Sequence, residues 1–151
     1  MTNKDMNTLA QRNVRAIKDY YSAVSDGNID RVSTMWADNA IMDTVFSMKP
    51  IPPEVAPPHQ QGGDTIRAFW RNFMENVNRN DIEIAMIDAL TSQPEWVMVR
   101  MSTDMELKDG TSYANQYNNL IRLENEKIVE YYEYSNPLVI INSFGPFESE
   151  K

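Results

Sequence analysis

Apolar positions recur at two different periods along this chain, and the change from one to the other divides it. In residues 7–25, Leu9, Val14, Ile17, Tyr21 and Val24 stand three to five apart, the spacing that turns one side of an α-helix toward a core. Asp26-Gly27-Asn28 stops that helix. Asp30 is the expected N-cap of a short second helix over 31–37, with Val32, Met35 and Trp36 as its apolar stripe. Ala40 to Phe46 alternates weakly at the length of a strand, and prolines 50, 52, 53, 57 and 58 then exclude regular helix or central strand. A third helix is expected after Gly62-Gly63, capped by Asp64, with Ile66, Phe69, Trp70, Phe73 and Val77 on or near one face.

From residue 81 the period is that of strands. Four are expected, over 81–91, 96–107, 112–124 and 127–135, joined by turns at Gln93-Pro94-Glu95, Lys108-Asp109-Gly110 and Glu124-Asn125-Glu126. Connections this short imply an antiparallel meander. Pro137 starts a last helical segment over 138–144, closed by Gly145-Pro146. Three N-terminal helices ahead of a strongly curved antiparallel sheet make an α+β fold, the helices covering one sheet face around a cone-like pocket. The chain reads as a single domain over 1–151. Its Pro-rich loop, 47–61, is expected to serve either as a lid or as a covering loop or subunit contact.

The third and fourth strands carry polar side chains where a core is expected. Tyr113, Asn115, Tyr117 and Asn119 fall on one face, and Ala114, Gln116, Asn118 and Leu120 on the other. Amides cost free energy in an apolar interior unless each finds partners, so one face is expected to line a polar cavity or meet a second subunit. On the last strand Tyr131, Glu133 and Ser135 share one face and Glu130, Tyr132 and Tyr134 the other. One of these must meet the polar hairpin face. A carboxyl among tyrosines would have its charged form desolvated, raising its pKa toward neutrality and suiting Glu133 to move protons. Tyr20, Tyr113 or Tyr117 could donate hydrogen bonds to an oxygen that becomes negative in the reaction.

Charge and composition narrow the partners. Fourteen basic against 22 acidic side chains give a formal charge of −8, which disfavours contacts to nucleic-acid phosphates. There is no cysteine, and the single histidine, His59, lies in the Pro-rich loop, where it could close over a ligand as part of a lid. No metal or other cofactor is expected, although carboxylates could hold magnesium or calcium. The N-terminal residues are charged throughout with no apolar signal region, and no apolar run approaches membrane-spanning length, so a cytoplasmic protein with no membrane partner is expected. Most of the ten methionines are expected in the core.

Three strings, in order, carry a resemblance: MWADNAIMDTVF, the Pro-rich loop followed by QGGDTIRAFW, and KIVEYYEYSNPLVIINSFG. Together they resemble the nuclear transport factor 2-like superfamily, in its SnoaL-like and ketosteroid-isomerase-like branch. That resemblance implies a cystatin-like α+β barrel, a homodimer through the sheet, and an activity drawn from isomerases, cyclases, epoxide hydrolases, dehydratases or non-catalytic binding modules. Tyr113-Ala114-Asn115 and Glu133-Tyr134-Ser135-Asn136 resemble the phenazine-biosynthesis A/B proteins, which implies Glu133 as the acid–base carboxylate and Tyr113 as a cavity residue; Trp70 lies near where that family has a histidine.

Similarity to ketosteroid isomerases implies Tyr20 as an oxyanion donor, but the general-base position falls on Thr44 and the protonated aspartic acid on Gln116. Asp43, one position from Thr44, is the remaining candidate base, on the opposite strand face. Where epoxide hydrolases of this fold have arginine and aspartate two apart, this chain has Arg100 and Ser102, which disfavours that reaction.

The resulting expectation is a small cofactor-independent enzyme that isomerises, cyclises or dehydrates an apolar oxygenated metabolite. Glu133 and Asp43 are the catalytic candidates, and Tyr20, Tyr113, Tyr117, Trp70, Asn115 and His59 the substrate-binding ones. Gln116 and Asn118 are assigned to the outer sheet face and a partner subunit. The alternative is a non-catalytic module that binds a small molecule or a protein.

Overall fold

Helix α1 (Asn3–Ser25) begins on a capping box, in which Thr2 Oγ1 accepts from the Asp5 N–H (3.2 Å) and the Asp5 carboxylate accepts from the Thr2 N–H (3.0 Å). It buries Ile17, Tyr20, Tyr21 and Val24 on one side, as its spacing predicts. Gly27, at φ 68, then takes the left-handed turn that a side chain would oppose. The computed structural model describes residues 2–45, 51 and 57–145.

Helix α2 (Ile29–Thr34) is capped by Asn28, whose Oδ1 accepts from the Arg31 N–H (3.0 Å), rather than by Asp30. It is also shorter than expected, and Trp36 opens strand β1 (Trp36–Thr44) instead of completing a helical stripe. Strand β2 (His59–Gln61) lies inside the stretch that its prolines mark as loop, held because it pairs antiparallel with β1. Of the 47–61 loop, residues 47–50 and 52–56 lie outside the described residues, and with them most of the expected lid.

Helix α3 (Gly63–Glu75) starts at Gly62, with no side-chain cap. Asp64, the expected cap, instead accepts from Arg67 (2.9 Å), whose guanidinium also reaches Asp38 (2.8 Å) and the Trp36 carbonyl (3.1 Å). That clamp ties α3 to β1. A side chain on Gly63 would run into the Ala37 carbonyl oxygen, so the helix can sit this close to the strand only with glycine there.

Strands β3 (Val77–Leu90), β4 (Gln93–Leu107), β5 (Ser112–Glu124) and β6 (Lys127–Ser135) form the expected meander, and helix α4 (Pro137–Phe144) follows with Asn136 as its cap. The first two strands are longer than their alternation suggests, Val77 opening β3 and Gln93-Pro94 opening β4. The sheet has six strands in the order β2-β1-β6-β5-β4-β3, with β1 parallel to β6 and every other pair antiparallel. Register shifts in β1–β6, β3–β4 and β5–β6 mark irregularities of the kind that bend strands, and the sheet is curved but unclosed.

Helices α1 and α3 cover the concave face. Ile17, Ile66, Val97, Val99, Ile121 and Ile128 are wholly inaccessible there, each contributing about 1.5–3 kcal/mol by burial. Ala114, Gln116 and Asn118 face outward on β5, as expected for that side of the hairpin. Among the described residues no helix is long and apolar enough to cross a membrane.

Candidate active site

The concave face of the sheet is apolar near α1 and becomes polar toward its open end, where a cavity of about 280 Å³ lies between the sheet, α3 and α4. Strand parity decides what reaches it. On β6, Tyr131, Glu133 and Ser135 point inward; on β5, Tyr113, Asn115, Tyr117 and Asn119 do; on β1, Met42 and Thr44 do. Glu133 is flanked in register by Thr44 on one side and Asn119 on the other. Among the described residues it is the one carboxylic acid that lines the cavity, beside Tyr113, Tyr117 and Trp70.

Glu133 has no hydrogen-bond or ion-pair partner among the described residues, and the accessible part of its side chain opens into the cavity. Desolvation is the cause that pushes its carboxyl up to about 7. A group poised there can donate a proton and take one back near neutral pH. Among the described residues no arginine, lysine or histidine joins it in the lining.

The Tyr113 and Tyr117 hydroxyls are hydrogen-bonded to each other at 2.7 Å, and Asn115 Nδ2 donates to the Tyr113 oxygen at 2.8 Å. Burial pushes the Tyr113 phenol up to about 12, against the opposing effect of its bonds to Tyr117 and Asn115, and holds Tyr117 well above its ordinary value. Both phenols therefore stay protonated as donors at neutral pH. Asn115 sits behind Tyr113 and borders a second, shallower groove, its amide fully committed to Tyr113, the Asn136 backbone and the Gln116 N–H. It orients Tyr113 instead of lining the cavity.

Tyr20 lies deeper, wholly buried, with Tyr21, Trp36 and Trp70 packed edge-on around its ring at 5.3, 6.0 and 6.1 Å. Its hydroxyl has no hydrogen-bond partner among the described residues. Burial, then the neighbouring Tyr21 and Glu133, hold its pKa well above the ordinary value; the Trp36 indole N–H, turned toward it outside hydrogen-bond geometry, opposes that rise. Tyr20 is thus a core residue beneath the site and not part of the cavity wall.

Asp43 and His59 correct the expectation made for them. Asp43 stands on the outer face of β1, 28 % exposed, and its carboxylate meets His59 Nδ1 at 2.8 Å, with the histidine 55 % exposed. The two are cross-strand partners in the β1–β2 pair, so the histidine belongs to a strand and not to a closing lid, and neither side chain lines the cavity. One step along β1 separates Asp43 from the inward-facing Thr44, and alternation sends the two to opposite sides. Arg100 is also exposed on the outer face, away from the cavity.

Several lining groups carried no signal in the sequence. Asn72, Asn76 and Asn80 bring amides to the rim from the end of α3 and the start of β3, and Thr103 bonds to Asn80 there. Polar residues at a helix end usually mark solvent, so only the packed structure distinguishes them. Phe69 and Phe73, expected as core, share the α3 wall with Trp70.

A family model described as the SnoaL-like domain matches residues 17–131, more than half of the chain; of the cavity lining, Glu133, Ile140 and Phe144 lie beyond the matched range. The chain belongs to the SnoaL-like domain family. No curated protein matches it. Solved structures align with this SnoaL-like domain along most of its length. One is a Bacillus subtilis protein named for an unproven isomerase activity, at 16 % identity, covering 99 % of this chain and 100 % of its own, with a TM-score of 0.78. A second is an M. tuberculosis LEH-like epoxide hydrolase, at 13 % identity, covering 88 % of this chain and 89 % of its own, with a TM-score of 0.71. A third is the epoxide hydrolase/cyclase-like enzyme SalBIII, which acts in pyran ring formation in the polyether salinomycin, at 16 % identity, covering 83 % and 92 %, with a TM-score of 0.68.

At these identities the likenesses establish the fold, which is that of the nuclear transport factor 2-like superfamily. The fold hosts enzymes as well as proteins of unknown function.

Proposed function

We propose that this SnoaL-like domain is an acid/base enzyme that isomerises, cyclises or dehydrates an apolar oxygenated metabolite. The observation that carries the reading is Glu133, an unpaired carboxyl with a pKa of about 7 in an aromatic-walled cavity, with the Tyr113–Tyr117 hydroxyl pair lining the same space. In its ionised form Glu133 takes a proton from carbon next to a carbonyl, and the C–H electrons move onto the carbonyl oxygen as an enolate. A phenol hydroxyl of the pair donates a hydrogen bond to that oxygen, where preorganised donors act most strongly in a dry site. Glu133 then returns the proton at another carbon, or to a leaving hydroxyl, and is restored.

The alternative, a binding module with the same cavity, would be favoured by a space filled with Trp70, Phe73 and methionines and by a Glu133 turned to water. An open cavity of about 280 Å³ with Glu133 facing it supports the enzymatic reading instead. The test is Glu133→Gln, which keeps size and hydrogen bonding but cannot exchange a proton. Turnover of the accepted substrate should fall at least about a hundredfold, the typical contribution of a general acid or base. Undiminished turnover would end the proposal.

The outer face of the sheet is proposed as the contact with a second copy of the chain. Met98, Leu120 and Tyr132 stand in one cross-strand row, and Met98 and Met86 are 39 % and 44 % exposed. Met98→Glu should convert a dimer into a monomer in light scattering; a wild-type monomer at micromolar concentration would refute the contact.

A further inference from the structure

The proposed site has aromatic rings on two sides and, among the described residues, one ionisable carboxyl in its lining. Phe69, Trp70 and Phe73 form one side, with ring centroids 5.6–6.3 Å apart; Tyr113, Tyr117 and Phe144 form another, with Tyr113 and Phe144 at 5.2 Å. The faces of such rings carry negative quadrupole charge. Between them stands Glu133, with no donor aimed at it and no cationic side chain in the lining among the described residues. The described part of the rim contributes neutral amides from Asn72, Asn76 and Asn80. Among the described residues the ionisable groups facing Glu133 are phenols: Tyr20 and Tyr21 from α1, Tyr113 and Tyr117 from β5, and Tyr131 on its own strand, while β1 presents Met42 and Thr44, α3 Trp70 and Phe73, and α4 Ile140 and Phe144.

An anion has no cationic side chain to pair with among the described residues, and a neutral hydrocarbon would leave Glu133 without a partner. A cation meets both unmet features at once, the buried carboxylate and the ring faces. We infer that the cavity takes an organic cation, an alkylammonium group on a hydrophobic skeleton, held between the Trp70 wall and Glu133. The inference names a substrate class for the site and rests on Glu133 being its working carboxyl. The chain's formal charge of −8 would also draw a cation toward the protein. When the free site holds Glu133 protonated, arrival of the ammonium expels that proton to solvent and leaves a carboxylate–ammonium pair. The bound substrate therefore meets Glu133 as a base.

The probe is benzyltrimethylammonium, compared with neopentylbenzene, its uncharged carbon isostere, by equilibrium binding to the full chain. At pH 8 the wild type should bind the cation at least about tenfold more tightly, the worth of one desolvated cation–π and charge contact. With a carboxyl pKa of about 7, the ionised fraction and the cation's affinity should fall about thirtyfold between pH 8 and pH 5.5. The isostere should be nearly indifferent to pH. Binding of the cation near pH 6.5 should release protons, seen as heats that differ between buffers of different ionisation enthalpy. Trp70→Leu should reduce the preference and Glu133→Gln should abolish it.

Equal or tighter binding of the isostere at pH 8, no detectable binding of the cation, or a preference that survives in Glu133→Gln would each overturn the inference. The catalytic reading fails separately. Turnover that is lost in Glu133→Gln without any cation preference would leave that reading standing and this inference refuted. A cation preference combined with undiminished Glu133→Gln turnover would do the reverse.

Discussion

Tyr113 and Tyr117 are four residues apart on β5, and their hydroxyls meet at 2.7 Å over the cavity, with Asn115 between them in sequence donating to Tyr113. Residues i and i+4 share a strand face but stand too far apart along it for small side chains to touch; two long phenols leaning together bridge the gap. Both bonds act against the rise of the Tyr113 pKa, as bonds accepted by its oxygen do, so Tyr113 accepts from Asn115 and from the Tyr117 hydroxyl. That leaves the Tyr113 proton free for a ligand.

Tyr113→Phe should therefore cost more turnover than Tyr117→Phe. Loss of one preorganised donor to a developing oxyanion is worth about a hundredfold or more in kcat, whereas in Tyr117→Phe the Tyr113 hydroxyl persists with a less defined direction. Steady-state kinetics of the two variants decide the order. A larger effect at Tyr117 would place the terminal donor there instead.

The Glu133 carboxyl also sets a stability dependence on pH. Its pKa is raised to about 7 from an ordinary value of 4.5, so the folded chain binds a proton that the unfolded chain has released anywhere between those values. Stability is therefore greatest below about pH 4.5 as far as this group is concerned, and it declines as pH rises to about 7, beyond which the full penalty remains. A shift of that size corresponds to the order of 3 kcal/mol. Glu133→Gln removes the charge and should be more stable than the wild type at pH 8, with the gain shrinking by pH 5. Urea melts at both pH values test this, and equal stability at pH 8 would mean that the carboxylate is well solvated.

Asp43 and His59 lie on the far side of β1 from this chemistry. Asp43→Asn should leave turnover within about a factor of two and stability within about 1 kcal/mol, the worth of a partly exposed pair. A loss of turnover comparable to that of Glu133→Gln would bring Asp43 back into the catalytic machinery.

That pair also marks how far sequence can be read. The alternation of Tyr113, Asn115, Tyr117 and Asn119 assigns them to one face without knowledge of any partner strand, and the α3 stripe places Trp70 and Phe73 inward in the same way. Glu133 is different. Both faces of β6 carry tyrosines and a glutamate, Tyr131 and Glu133 against Tyr132 and Glu130, so which side meets the core depends on its parallel register with β1, some ninety residues earlier. On β1 itself, alternation separates Thr44 from Asp43, and the pairing of β1 with β6 decides which of the two faces the core. Strand β2 was illegible because the prolines around it argue against a strand, and only pairing with β1 overrides them. The amide rim at Asn72, Asn76 and Asn80 exists only once α3 and β3 meet.

Beneath the cavity, Asn119 Nδ2 donates to the hydroxyls of Tyr21 (2.8 Å) and Tyr131 (2.9 Å), which also bond to each other at 2.9 Å. All three side chains are inaccessible or nearly so, yet Asn119 Oδ1 has no partner among the described residues. Two opposing contributions thus meet in one amide. Its two donated bonds stabilise by about 1 kcal/mol each, and its unpaired carbonyl costs about 1–3 kcal/mol. Asn119→Leu, close in size, loses both contributions, so it should destabilise by less than about 1 kcal/mol where a fully satisfied buried amide would cost more. Tyr21→Phe should be costlier in the wild type than in the Leu variant, because the triangle of bonds acts as a unit. Urea denaturation of the four proteins in that cycle measures the coupling. A cost above about 3 kcal/mol for Asn119→Leu would mean that the carbonyl is satisfied after all.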